Sequence, residues 1–328
     1  MLLLQYHNLL LKSVLTERIL DPEDEAPTSS LDQIVSDFDN VTFHLSTAPD
    51  NRDQLFVSVR IKSWPDLEKY GAREVLAREY GSYLLSSPEN GYDATIALNV
   101  SELRQNMALE QRQALVDSIA LLKRNAMAAP FERAFAQYDE LAKEAAEKSV
   151  DMYAPEQSTS EVMAVRYRDN ESIYVKAAHD RVTVVFSTGF RDETDRVFGR
   201  VFLQEFVDAR RRAVQNAPQV LYSHREAPLD IREAVPAAEA NSDVGFVTFV
   251  LFPRHLTPQR RENAISHIQT FRDYFHYHIK CSKAYMHSRM RFRVTEFLKV
   301  LNRAKPENAE EESGYRKTVT GRKFRVAA

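Results

Sequence analysis

The stretch 259-QRRENAISHIQTFRDYFHYHIKCSKAYMHSRMRFRVTEFLKVLNR-303 decides how this chain is read. It contains neither proline nor glycine, so nothing in it breaks a helix. As one α-helix it spans roughly 65–70 Å, more than the diameter of a small domain. Its apolar residues step at close to the helical period: Ile265, Ile268, Phe275, Ile279, Met286, Met290, Val294, Phe297 and Leu301. A single domain covers only part of such a stripe, and the remainder meets either water or a partner. Covering a side chain of this size is worth about 1.5–3 kcal/mol, so leaving four of them open costs more than a marginally stable fold can spare. A partner helix is therefore expected over Phe275, Ile279, Met286, Met290, Val294, Phe297 and Leu301. The alternative is a break near Lys280 to Lys283, with the two halves folding back on each other.

Charge sets the same segment apart. The whole chain of 328 residues carries a formal net charge of −3 and shows no global attraction to polyanions. From Arg254 to Lys305, twelve Lys or Arg stand against three acids, Glu262, Asp273 and Glu296, a local excess of +9. A basic face this dense attracts an acidic polymer, either nucleic acid or an actin filament. Arg210, Arg211 and Arg212 form a second basic run at the end of a middle helix. One cation suffices to complement a helix C-terminus, and three adjacent ones also suit a contact site.

Outward from the long helix, the chain reads as two α+β halves. The first holds a helix over Leu2–Leu20, strands at Val41–Leu45 and Leu55–Ile61, and a helix over Trp64–Tyr80 capped by Ser63. A hairpin follows from Tyr83 to Val100, with its turn at Pro88–Gly91, and then a long helical stretch over Glu110–Glu147 with a possible kink at Pro130. Polar residues 149–160 read as a linker. The second half holds strands at Val162–Tyr167, Ser172–Lys176, Asp180–Phe186, Gln219–Ser223 and Gly245–Phe252, with a helix over Thr194–Arg212. The long helix, Thr257–Ala304, closes it. The expected fold class is α+β, with two similar domains, each a mostly antiparallel sheet packed against a long helix, and an extended C-terminal helix. Domain edges are expected at 1–148 and 161–305, with an extended arm over 306–328.

Composition excludes several functions. Hydrophobic residues make up 44% and charged residues 28%, so a globular core is assured. Cys281 is the only cysteine, which rules out an intrachain disulfide and points to a reducing setting, cytoplasmic or nuclear. No run of about 18 apolar residues is present to insert into a membrane. The leucine-rich start lacks a basic leader and a cleavage site. His276, His278, Cys281 and His287 suggest a metal, but His276 and His278 lie about 200° apart on a helix and cannot share one ion. No phosphate loop, dinucleotide fingerprint or nucleophile elbow occurs. Neither catalytic residues nor a cofactor or metal is expected. If the basic helix instead bound nucleic acid, Phe271, Tyr274, Phe275 and Tyr277 would be candidate stacking platforms, though their helical spacing favours core packing.

Several segments resemble a known family. These are SDFDNV (Ser36–Val41), YGSYLLSSPENGY (Tyr80–Tyr92), LLKRN (Leu121–Asn125), DRVTVVFST (Asp180–Thr188), VFLQEF (Val201–Phe206), APQVLYSHREAPL (Ala217–Leu229) and FVTFVLFPRH (Phe246–His255). TFRDYFHYHIKCSKAYMHSRMR (Thr270–Arg291), FLKVLNRA (Phe297–Ala304) and KTVTGRKF (Lys317–Phe324) complete the set, in order along nearly the whole chain. They are similar to the large scaffold subunits of the actin-related protein 2/3 complex. The resemblance implies a non-enzymatic scaffold of two α/β domains in the cytoplasmic actin cytoskeleton. It implies that the long helix pairs with the corresponding helix of subunit 4 and that the pair contacts the side of an actin filament. Filament contact carries over onto Arg210, Arg211, Arg212, Lys280, Lys283, Arg289, Arg291 and Lys299. Residues 148–160 and 307–314 look longer and more polar than the family pattern.

Overall fold

The computed structural model describes residues 4–20, 29–147, 160–190, 192–236, 244–304, 315–317 and 323–325. The chain separates into two compact units, Met1–His276 and Tyr277–Ala328. Two antiparallel sheets, their covering helices and a long C-terminal helix make an α+β fold, as the sequence leads one to expect.

The first sheet has the order β1-β2-β3-β4, formed by Asp32–Asp37, Val41–Thr47, Gln54–Ile61 and Ala94–Asn99. Antiparallel register pairs Phe43 with Val59, Leu45 with Val57, and Val57 with Ile96, so these side chains share one buried face. The opposite face is polar. There the Ser58 and Thr95 hydroxyls bond at 2.9 Å, and His44 lies between Glu89 and Asp32.

β1 escapes a reading by periodicity because DQIVSD buries only Val35, while Ile34 stays exposed. Its hairpin to β2 turns through Phe38, Asp39 and Asn40, the last two at positive φ, which Asp and Asn tolerate better than most residues. The expected hairpin over Tyr83–Val100 is not formed. Leu84 makes one isolated bridge to Ile96, and β4 pairs with β3 instead.

The helices of this half are shorter than their apolar patterns imply. α1 is Leu9–Ile19 rather than Leu2–Leu20, because the Asn8 side chain caps it by accepting from the Leu11 N–H at 2.9 Å. Residues 1–3 lie outside the described set. The segment Trp64–Tyr80 splits into α2, Trp64–Lys69, and α3, Ala72–Tyr80, at Gly71 with φ of +100°. The stretch Glu110–Glu147 likewise divides, with α4 at Val100–Asn106 before it, into α5 at Leu109–Ile119, α6 at Leu122–Ala126 and α7 at Ala129–Glu147. Pro130 causes no kink, since it sits in the first turn of α7 where its missing N–H costs nothing.

The second sheet has the order β5-β6-β7-β9-β8, formed by Met163–Arg168, Glu171–Ala177, Val182–Gly189, Val244–Leu251 and Gln219–His224. β6, β7 and β9 are buried along almost their whole length. One face packs Ala164, Tyr174, Val185 and Phe246 against Ile231 and Val235. The other packs Phe186 and Phe249 against Phe271, with ring centroids 5.7 and 4.6 Å apart. Phe271 in turn stacks on Phe275, which meets Phe202 of α8, Glu193–Arg212, at 5.6 Å. Phe271 and Phe275 are thus core residues, and the Tyr274 hydroxyl is engaged with the Leu4 carbonyl. The pattern Val-Thr-Val-Val-Phe reads as a continuous apolar run because both faces are covered.

The long helix α9, Pro258–Arg303, has 46 residues and is unbroken, so the alternative of a fold-back near Lys280 is overturned. Its first turns are tied to α6 and α7. Arg124 donates to the Glu262 carboxylate at 2.6 Å, the Glu262 carbonyl at 2.8 Å and Ser266 Oγ at 3.0 Å. Arg261 forks onto Asp139 at 2.7 and 2.8 Å. The expected linker falls almost wholly outside the described residues. Of the expected arm, only Tyr315–Lys317 (β10) and Lys323–Arg325 (β11) are described, and they pair as an antiparallel hairpin.

Candidate partner-binding surface

α9 changes character along its length. Ile265, Ile268, Phe275 and Ile279 are buried, whereas every residue over 284–304 is exposed. Phe275, at 1% exposure, serves the chain's own core, and Ile279 is buried as well. The remaining five residues of the stripe, Met286, Met290, Val294, Phe297 and Leu301, range from 42% to 62% exposed. At 100° per residue they fall within an arc of about 80°, one side of the cylinder. Gross burial of five such side chains is worth on the order of 10 kcal/mol. The helix survives in this segment on propensity and i,i+4 contacts alone, which for an isolated helix is marginal.

Exposed apolar residues are not confined to the stripe. Leu298 and Val300 widen it, and Tyr285 and Phe292 stand on the far side. There the Arg289 guanidinium lies 5.6 Å over the Tyr285 ring and donates to its hydroxyl at 2.8 Å. Tyr285, Ser288, Arg289, Phe292, Arg293 and Glu296 line a shallow groove. Following a single 3.6-residue stripe misses this second apolar face; plotting all apolar residues around the helix reveals it.

The basic residues divide by location. Lys280, Arg289, Arg291 and Lys299 are exposed and Lys283 is half-buried. Lys299 pairs with Glu296 at 2.8 Å, and the Arg291 guanidinium approaches the His287 carbonyl at 3.4 Å. At the end of α8, Arg210 is half-buried and donates to the Ala217 carbonyl at 3.0 Å, tying the helix end to the following loop. Arg211 is open, and Arg212 stands 3.9 Å from Glu205. The sequence pattern did not show that Arg254 and Arg260 share this corner. Between them His255 accepts from the Phe252 N–H at Nδ1, 3.0 Å, and its Nε2–H donates to the Asn216 carbonyl at 2.8 Å. Burial first, then Arg254, Arg260 and Arg210, hold this imidazole below its ordinary value despite that hydrogen bond. His255 is therefore neutral, and the corner's charge comes from guanidinium groups.

Among the described residues no group of three or more His, Cys, Asp or Glu is placed to hold a metal ion. No helix among them is long and apolar enough to cross a membrane.

The sequence matches the family described as the Arp2/3 complex, 34 kD subunit p34-Arc, across residues 57–308. Two relatives, each an actin-related protein 2/3 complex subunit 2, align over 327 residues, 99% of either chain. The one from Schizosaccharomyces pombe is 51% identical and the one from Dictyostelium discoideum 37%. The chain belongs to the p34-Arc family. The p34-Arc match takes in the latter part of β3, all of β4, the whole second sheet and all of α9, including its exposed end. Alignment with the relatives over nearly full length brings β1 and β2 into the same correspondence.

Proposed function

We propose that this chain is a non-enzymatic scaffold subunit of the actin-related protein 2/3 complex, working in the cytoplasmic actin cytoskeleton. Through α9 it pairs with the corresponding helix of subunit 4, and through its basic residues it contacts the side of an actin filament. The observation that carries the reading is the bare end of α9, where Met286, Met290, Val294, Phe297 and Leu301 form a stripe the described chain leaves exposed. A helix needs its apolar face covered to be stable, and a second amphipathic helix is the natural cover. On this reading Phe275 belongs to the chain's own core and Met286, Met290, Val294, Phe297 and Leu301 make the contact. We place the filament contact on Arg211, Arg212, Lys280, Lys283, Arg289, Arg291 and Lys299, with Arg210, Arg254 and Arg260 enlarging the first patch. Domain edges near 148–160 and an arm from 306 onward, lying along a neighbour, belong to the same proposal.

Coexpression tests the pairing. The chain expressed alone is expected to aggregate, and coexpression with subunit 4 to yield a soluble, stoichiometric pair. A monodisperse, well-folded monomer that ignores subunit 4 refutes it. Charge reversal at Arg211 and Arg212, or at Lys280, Arg289 and Arg291, is expected to spare assembly and weaken cosedimentation with actin filaments. Unchanged cosedimentation removes the filament assignment.

A further inference from the structure

The tip of the β1–β2 hairpin reaches out of its own sheet. Asp39 Oδ1 accepts from Arg168 Nη2 at 2.7 Å and Nε at 2.9 Å. Its Oδ2 accepts from Lys123 Nζ at 3.2 Å, and the same ammonium holds the Phe38 carbonyl at 3.0 Å and stands 3.7 Å from Asp37. Asp37 also accepts from the Asn8 side chain at 2.9 Å. Arg168, at the end of β5, lies 3.7 Å from Glu171 and 3.7 Å from Asp273 of α9. Glu171 is held by Arg272 at 2.8 and 3.0 Å, with His276 3.9 Å away. Beneath them Tyr167 is buried, and its hydroxyl has no hydrogen-bond partner among the described residues. Hairpin tip, α1 cap, α6, the β5–β6 turn and α9 all meet here.

The groups do not balance. Four carboxylates, Asp37, Asp39, Glu171 and Asp273, face three permanent cations, Lys123, Arg168 and Arg272, and the carboxylates are at most 16% exposed. Asp39 and Glu171 take the short contacts. Asp273 is left with Arg272 at 3.4 Å and the shared Arg168 at 3.7 Å. One proton makes the count equal, carried either by Asp273 or by the His276 imidazole beside Glu171; of the carboxylates, Asp273 has the longest contacts to the cations. Burial first, then the charge on Asp39, push the Asp273 carboxyl up to about 6 against the pull of Lys123, Arg272 and Arg168. Burial alone raises Asp39 too, but Lys123 and Arg168 hold it below the usual carboxylate range, so it stays ionised.

We propose that this cluster is a proton-operated clasp between the first sheet's hairpin tip and the second sheet, tight when Asp273 carries a proton and loosened when Asp273 is ionised. With Asp273 neutral, Arg168 serves Asp39 at short range and Glu171 at 3.7 Å. With it ionised, a third carboxylate competes for the same guanidinium and repels the other two in a poorly solvated place. The turn is the side expected to open, since Phe38 is exposed and, among the described residues, Lys123 and Arg168 are what hold the Asp39 side chain. Asp273 binds its proton more tightly folded than unfolded. Its stabilising effect is therefore complete below the unfolded carboxylate value near ~3.9 and is lost as pH rises through about 6.

Hydrogen exchange of the peptide over residues 36–42, in the full chain as it purifies with its partners, tests this. After correction for intrinsic rates, protection in the wild type is expected to fall about fourfold between pH 5.5 and 7.5, the span over which a carboxyl titrating at about 6 loses most of its proton. Asp273→Asn mimics the neutral acid and is expected to keep the low-pH protection at both values. Asp39→Asn, which weakens the grip on Arg168 and Lys123, is expected to free the turn at both. Wild-type protection that does not change with pH overturns the clasp. So does an Asp273→Asn chain that keeps the wild-type pH profile, or one that fails to fold.

Discussion

Replacing Phe297 by alanine separates what the long helix does for its own chain from what it does for a partner. Phe297 is 62% exposed, so its truncation removes little burial in the isolated fold, and stability is expected to move by less than about 0.5 kcal/mol. If a partner helix covers the ring, the same change forfeits about 1.5–3 kcal/mol of burial, or roughly 10- to 100-fold in Kd. Phe275→Ala is the matched control. That ring is 1% exposed and wedged among Phe271, Phe202 and Phe190, so its loss costs the fold about 3–5 kcal/mol. Dilution of the copurified pair over size-exclusion chromatography reads the Kd, and thermal unfolding reads the fold. Phe297→Ala is expected to raise the Kd and leave the chain's own unfolding alone, and Phe275→Ala to lower the unfolding temperature sharply. A Phe297→Ala pair that dissociates like the wild type refutes the reasoning, as does a Phe297→Ala chain as unstable as Phe275→Ala.

Arg124→Ala removes the group that joins α6 to Glu262 and Ser266, and a loss of about 2–3 kcal/mol is expected in denaturant unfolding. Glu262→Gln, on the 65% exposed side of that pair, is expected to cost less than about 1 kcal/mol. Gly71→Ala forces a Cβ onto a residue at φ +100° between α2 and α3, and an unfolding free energy lower by about 1–2 kcal/mol is expected. Burial pulls the His44 imidazole down, but its bonds to Asp32 and Glu89 outweigh this and leave it above its ordinary value. Its contribution to stability is therefore complete below about 6.5 and is lost as pH rises through the higher folded value. His44→Gln is expected to flatten that part of the stability–pH curve, and an unchanged curve counts against the assignment.

Local pattern was enough wherever a segment's neighbours do not alter its own preference. The 46 residues of α9 contain no helix breaker, and the runs Val182–Phe186 and Gly245–Leu251 are apolar on both faces because both faces are covered. The same reasoning failed where one contact outweighed the pattern. Gly71 splits a helix whose apolar spacing continues across it, Asn8 starts α1 late, and the polar strand β1 exists because β2 offers it a ladder.

The sequence by itself determined that this chain is an α+β protein ending in a long amphipathic, cationic helix, because helical period, strand alternation and charge excess are all properties of neighbours along the chain. Where that helix ceases to be core was decided only by the tertiary structure. Phe275 and Met286 look alike in the pattern, yet one lies among the rings of Phe190, Phe202 and Phe271 and the other remains exposed. The meeting of Asp39, Arg168 and Asp273 likewise belongs to the fold alone, since residues more than a hundred positions apart have no mutual signature until packing brings their charges together.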